Sequence, residues 1–190
     1  TSSFKYVFIQ TEKTLNTSTL KLITEKKMIK NGNFELKSIS EAKMSSLAMK
    51  LFVNEDVQIV FVGIDFITIT KSEAIDWEII KPDILSKIMN FFSSGLPVIN
   101  EGDISENDES SKIEVYNKKD LKIVEHIKEL LEEKIRPAVA QDGGDIRFVK
   151  FEDYVVFLEL RGSCAGCPSS TLTLKSGIEN MLKYYIPEIK

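Results

Sequence analysis

The sequence predicts an α+β protein made of two small α+β domains joined by a flexible acidic linker. Three observations lead there. Apolar runs with a period of two and apolar runs with a period of 3.6 occur in both halves of the chain. Between the halves lies a charged stretch with little to offer a core. The length of 190 residues suits one or two compact domains, and the composition break favours two.

The first domain is expected over residues 1–99. Phe4 to Ile9 is rich in aromatic and branched residues and predicts a strand. From Ser40 the pattern turns helical. Met44, Leu47, Ala48 and Leu51 fall at i, i+3, i+4 and i+7, with Ser40 as the expected N-cap. Val57 to Val62 and Phe66 to Thr70 predict two strands of a hairpin around Gly63-Ile64-Asp65. A second helix is expected to begin near Pro82, a residue favoured in a first turn. It runs through Ile84, Ile88 and Phe91 to a stop at Ser93-Ser94-Gly95.

The linker is expected over residues 100–119. Glu101-Gly102-Asp103, Glu106-Asn107-Asp108-Glu109-Ser110-Ser111 and Asn117-Lys118-Lys119 read as a solvated, self-repelling segment without a binding role.

The second domain is expected over residues 120–190. It opens with an amphipathic helix from Asp120 to Ile135, with Val124, Ile127, Leu131 and Ile135 on one face and Glu125, Lys128, Glu129 and Glu132 away from it. His126, the only histidine, lies among those charges and reads as a solvated surface residue. Pro137 is expected to end the helix. Asp142-Gly143-Gly144-Asp145 predicts a turn, and Ile146 to Phe151 and Val155 to Leu160 predict two strands joined at Glu152-Asp153. A final helix follows Pro168, with Leu174, Ile178, Met181, Leu182 and Tyr185 as its buried face.

Charge excludes some classes of partner. Lys and Arg number 25 against 29 Asp and Glu, a formal net charge of -4, and no basic cluster forms locally, so no nucleic acid partner is expected. No apolar run approaches the roughly 18–20 residues that cross a bilayer, so no membrane partner is expected. No charged-then-apolar signal pattern opens the chain, and its start at Thr1 suggests a removed leading segment. The 2 cysteines share one motif, which leaves no disulfide framework and favours a reducing compartment.

That motif, Gly162-Ser163-Cys164-Ala165-Gly166-Cys167-Pro168, carries the chemistry. Cys-x-x-Cys brings two sulfurs within reach of one metal centre. Gly162 and Gly166 let the loop fold tightly and aim N–H groups at sulfur. Pro168 suits a first helical position, so Cys167 would cap the helix, where the positive end of the dipole favours thiolate. Thiol–disulfide exchange by Cys164 and Cys167 fits this placement. Structural zinc and an iron–sulfur cluster each usually take four ligands, so either would need a second chain. The motif alone leaves all three open.

The wider context resembles one family. Ile135-Arg136-Pro137-Ala138-Val139-Ala140-Gln141-Asp142-Gly143-Gly144-Asp145-Ile146, followed at matching spacing by Gly162-Ser163-Cys164-Ala165-Gly166-Cys167-Pro168-Ser169-Ser170-Thr171, resembles the NifU-like C-terminal (Nfu) domain. Leu47-Ala48-x-x-Leu51-Phe52, Val60-Phe61-Val62-Gly63 and Asp65-Phe66-Ile67-Thr68-Ile69-Thr70-Lys71 look like the Nfu N-terminal domain. One stretch departs. Where the family has Pro-Asn-Pro-Asn-Thr-Leu-Lys, this chain has Leu15-Asn16-Thr17-Ser18-Thr19-Leu20-Lys21, which loosens the expected turn.

The resemblance implies a 4Fe–4S cluster held between two chains, with Cys164 and Cys167 of each as its ligands. It implies a late carrier that receives the cluster from upstream assembly factors. The carrier then delivers it to apo iron–sulfur proteins such as lipoyl synthase or aconitase-type targets, and it is a homodimer when loaded. The two-domain arrangement implies the mitochondrial matrix, with a bacterial cytoplasm as the alternative. No conventional enzyme activity is expected, since no Ser–His–Asp set, phosphate-cradling loop or paired-carboxylate site stands out. Asp142 and Asp145 read as turn residues and Ser169 and Ser170 as helix-start residues. Arg161 either offsets cluster charge or ends a strand.

Overall fold

The computed structural model describes residues 8–100, 116–165 and 168–190, apart from the side chains of residues 168–170. The fold is α+β, and the chain divides into two compact units, 1–108 and 109–190. Phe4 to Val7 of the first expected strand, and residues 101–115 of the expected linker, lie outside the described residues.

Unit 1 is a five-stranded antiparallel sheet with helices against one face. Its strands are β1 (Ile9–Lys13), β2 (Thr19–Thr24), β3 (Phe34–Leu36), β4 (Val57–Val62) and β5 (Phe66–Lys71), in the order β1-β2-β5-β4-β3. The hairpin expected around Gly63-Ile64-Asp65 is β4–β5, with Val62 opposite Ile67 and Val60 opposite Ile69. Of the strand expected over Phe4 to Ile9, the described residues place Ile9 at the start of β1 and leave Phe8 outside it.

Alternation sets the buried face. Leu20 and Leu22 of β2, Val60 and Val62 of β4, and Ile67 and Ile69 of β5 pack against the helices α1 (Ser46–Phe52) and α2 (Trp77–Ser94). The helices contribute Leu47, Ala48, Leu51, Ile80, Ile84, Ile88 and Phe91.

Two helix starts differ from expectation. Ser40 is not the cap of α1. Residues Glu41–Met44 form a separate 3₁₀ turn, and Ser45 caps α1, its hydroxyl accepting from the Ala48 N–H at 3.2 Å while donating to the Val98 carbonyl at 2.7 Å. The apolar spacing was right for the buried face, but an extended Ser45 breaks the helix before Leu47. Pro82 lies inside α2 instead of at its start, because the helix begins five residues earlier at Trp77. Ile80 anchors that extra turn in the core, and the Trp77 indole N–H donates to the Thr17 carbonyl at 2.9 Å. Pro82 and Glu78 are both exposed, so the carbonyl freed by the missing N–H lies on the solvent side. Gly95, at φ 72°, closes the helix as expected.

Unit 2 comprises α3 (Lys118–Leu130), a π-helical turn (Leu131–Ile135), α4 (Arg136–Gln141), the antiparallel pair β6 (Gly144–Glu152) and β7 (Val155–Gly162), and α5 (Pro168–Tyr185). The Asn117 side chain caps α3 by accepting from the Lys119 and Asp120 N–H groups.

Pro137 does not end the helix. The Arg136 N–H reaches back five residues to the Leu131 carbonyl, and this wide turn lets the chain continue helically to Gln141. The strands meet at Asp153 and Tyr154, both at positive φ (50° and 63°), one residue beyond the expected joint. Val124, Ile127, Leu131, Ile135, Val139, Ile146, Phe151, Ile178 and Leu182 form the core. Tyr185, expected in the buried face of α5, is 41% exposed. Its place is taken by Ile186, just past the helix end. His126 is exposed. Among the described residues no helix is long and apolar enough to cross a membrane.

Candidate metal centre

Cys164 follows the end of β7 and precedes α5, and it is 5% exposed. Its seat is cut from backbone. Gly144, the first residue of β6, faces Gly162, the last of β7. A Cβ at Gly144 would lie 2.8 Å from the Arg161 carbonyl oxygen and 3.0 Å from Cys164 Cβ, and closer still to Cys164 Sγ. The sulfur therefore occupies the space that a side chain at 144 would fill. Gly143 and Gly162 take positive φ (77° and 66°), turning the chain into and out of the strand pair.

Hydrogen bonds tie the cysteine loop to this turn. The Ser163 N–H donates to the Gly143 carbonyl at 3.3 Å, and the Ser163 hydroxyl donates to the Asp142 carbonyl. The Ala165 N–H donates to the Gly162 carbonyl at 3.1 Å, and the Thr171 hydroxyl of α5 donates to the Cys164 carbonyl at 3.3 Å. Ser163 Oγ lies 3.8 Å from Cys164 Sγ.

Burial pushes the Cys164 thiol above the ordinary cysteine range; the contact with Ser163 works against this, and the charges of Asp142 and Asp145 add to it. The metal-free sulfur is thus held as a neutral thiol. A soft metal that displaces the proton regains what burial costs the bare thiolate. As a soft, buried donor, the Cys164 sulfur fits iron–sulfur or zinc chemistry.

Asp145 is not a turn residue. It lies in β6, 7% exposed, and its carboxylate accepts a two-pronged contact from the Arg136 guanidinium, Nε–Oδ1 3.0 Å and Nη2–Oδ2 2.9 Å. Arg136 also reaches Glu132 at 2.5 Å. These two carboxylates raise the Arg136 pKa against the opposing effect of its burial. Arg161 sits on β7 and donates to Glu159 at 3.2 Å.

Cys167 and Gly166 lie outside the described residues, and Ser169 and Ser170 fall in α5 with side chains that are not described. Among the described residues no three His, Cys, Asp or Glu side chains gather to hold a metal ion. Sequence reasoning singled out Cys164 but missed Gly144 as its seat and Arg136 as the partner of Asp145. The paired glycines were the available signal for the first. Nothing local signals the second, because the partners are nine residues apart on a helix and a strand.

Comparison with known proteins places these units. The family described as "Scaffold protein Nfu/NifU N terminal" matches residues 9–95, and the family described as "NifU-like domain" matches residues 127–190. A Homo sapiens protein named "NFU1 iron-sulfur cluster scaffold homolog, mitochondrial" is 46% identical over 187 residues, which cover 98% of this chain and 71% of the relative. A protein of the same name from Drosophila willistoni is 45% identical over 185 residues, covering 97% of this chain and 62% of its own length. A solution structure of a NifU-like protein from Saccharomyces cerevisiae aligns with a TM-score of 0.48 at 26% identity, covering 53% of this chain and 91% of that one. On the identity and coverage of these relatives, the chain belongs to the Nfu family and joins an Nfu/NifU N-terminal domain to a NifU-like domain.

Proposed function

We propose that this protein carries an iron–sulfur cluster on Cys164 and Cys167 and hands it to apo iron–sulfur proteins in the mitochondrial matrix. The observation that carries the reading is the seat of Cys164. It is a buried thiol on a strand start stripped of its side chain, in the unit that matches the NifU-like domain. The relatives' names, which describe mitochondrial iron–sulfur cluster scaffolds, support the cargo and the compartment. The reading is of a carrier and not an enzyme.

One chain brings two thiolates to a cluster that usually takes four, which supports a cluster shared by two chains, and the likeness to the NifU-like domain favours the 4Fe–4S form, each chain ligating through its own Cys-x-x-Cys. Release follows as ligand exchange. An incoming thiol of the apo-protein gives its sulfur to iron as the iron–sulfur bond to Cys164 breaks. Its proton goes to Cys164 Sγ, which the buried pocket favours as neutral thiol. No oxidation state changes in that step. Lipoyl synthase and aconitase-type proteins are the recipients proposed, and upstream assembly factors the donors.

The test is iron and acid-labile sulfide per chain, measured on protein reconstituted without oxygen and sized in the same run. About two of each per chain on a dimer matches one four-iron cluster between two chains. An iron-free, colourless monomer sinks the reading in favour of thiol–disulfide chemistry, and zinc on a dimer leaves a structural module.

A further inference from the structure

We infer that Asp145 and Arg136 are positioning residues for Cys164, a fork-shaped ion pair that fixes the strand start on which the sulfur rests. The inference rests on reading Cys164 as a ligand of the carried cluster. A carboxylate 7% exposed beside a sulfur that will bear negative charge is unfavourable in itself, so its presence calls for a structural reason.

The geometry supplies one. Asp145 follows Gly144, whose bare Cα gives Cys164 its space, and lies two residues after Gly143, whose carbonyl takes the Ser163 N–H. Both carboxylate oxygens are held by Arg136, on the first residue of α4. A planar fork fixes distance and angle together, which a single contact does not. The pair therefore clamps the Gly143–Asp145 segment to α4 while neutralising the acid next to the site.

The wide turn before α4 belongs to the same device. Its Arg136-to-Leu131 hydrogen bond inserts one extra residue into the helix. Leu131, Ile135 and Val139 stay in the core on either side, and Arg136 is left facing Asp145.

The experiment compares the parent chain with Arg136→Gln and Arg136→Lys, full length in each case. Amide hydrogen exchange is read on the metal-free protein, and loss of cluster to an external iron chelator on the loaded protein. The Ser163 amide should exchange about tenfold faster or more in Arg136→Gln, with the Ile127 amide of α3 unchanged. Chelator-driven loss should accelerate in step. Arg136→Lys keeps the charge without the fork and should fall between the two.

Full rescue by Lys on both readouts would overturn positioning in favour of charge alone. Ser163 exchange at the parent rate would overturn it outright, as would Ser163 and Ile127 accelerating together. If Arg136→Gln fails to fold, Arg136→Lys decides by the same criteria. A parent chain that takes up no iron would defeat the carrier reading instead, and the metal-free exchange contrast would still report on the pair.

Discussion

At the scale of single residues, the site depends on what is absent as much as on what is present. Gly144 is the sharpest case, because an added methyl has no flexible side-chain end to push aside. It meets the Arg161 carbonyl and the body of Cys164. Gly144→Ala is therefore expected to cost about 1–3 kcal/mol as an overpacked contact and to expel Cys164 from its seat. The expected result is a lowered melting temperature of unit 2 and a clear loss of reconstituted iron per chain; an alanine variant with parental iron content would refute the seat. Cys164→Ser puts a hydroxyl in the buried seat, and is expected to cost about 1–3 kcal/mol of unit 2 stability while abolishing iron uptake under conditions where the unit is still folded. The Cys-x-x-Cys spacing singled out Cys164, which the fold buries against Gly144. The role of Asp145 was not legible. An Asp after two glycines carries the signature of a turn, and only the fold shows that Arg136 meets it across nine residues.

At the scale of elements, caps and turns decide where the helices lie, and these were the least legible features. Ser45 illustrates the cost of misplacing one. Its hydroxyl accepts from the Ala48 N–H and donates to the Val98 carbonyl, and the side chain is fully buried. Ser45→Ala removes a cap worth about 1 kcal/mol and strands two buried backbone groups, so about 2 kcal/mol is expected in chemical denaturation of unit 1. Ser40→Ala, at the position suggested by sequence, is expected to change stability by less than about 0.5 kcal/mol, since it forms no cap. The 3.6-period spacing identified the buried faces of α1, α2, α3 and α5 apart from Tyr185, because burial selects apolar residues directly. It set the boundaries poorly. Pro82 read as a helix start and Pro137 as a helix end, yet each sits inside a helical run where the missing N–H is tolerated, one on an exposed helix face and one just past a wide turn. β2 and β3 went unread. β2 alternates as Thr-Leu-Lys-Leu-Ile-Thr but carries a lysine that is buried, and β3 is only three residues long.

At the scale of the whole molecule, the described residues form two hydrophobic cores that share no residue, one behind the five-stranded sheet and one around α3, β6 and α5. Cys164 belongs to the second alone. Stability and cargo binding should therefore separate along the same line. Ile84 is fully buried in the first core and Ile127 in the second. Truncating either to alanine is expected to cost about 2–5 kcal/mol. Ile84→Ala should lower the thermal transition of unit 1 and leave both the transition of unit 2 and the iron bound per chain at parental values. Ile127→Ala should lower the other transition, and with it iron retention at temperatures that Ile84→Ala withstands. Scanning calorimetry on the metal-free chain, followed by iron analysis of the reconstituted variants, checks both halves. A single transition that moves equally with either substitution would mean that the two units fold as one. The N-terminal unit would then support the cluster site energetically. Independent transitions would mean that the NifU-like unit keeps its fold, and the proposed iron site with it, without energetic support from the N-terminal unit.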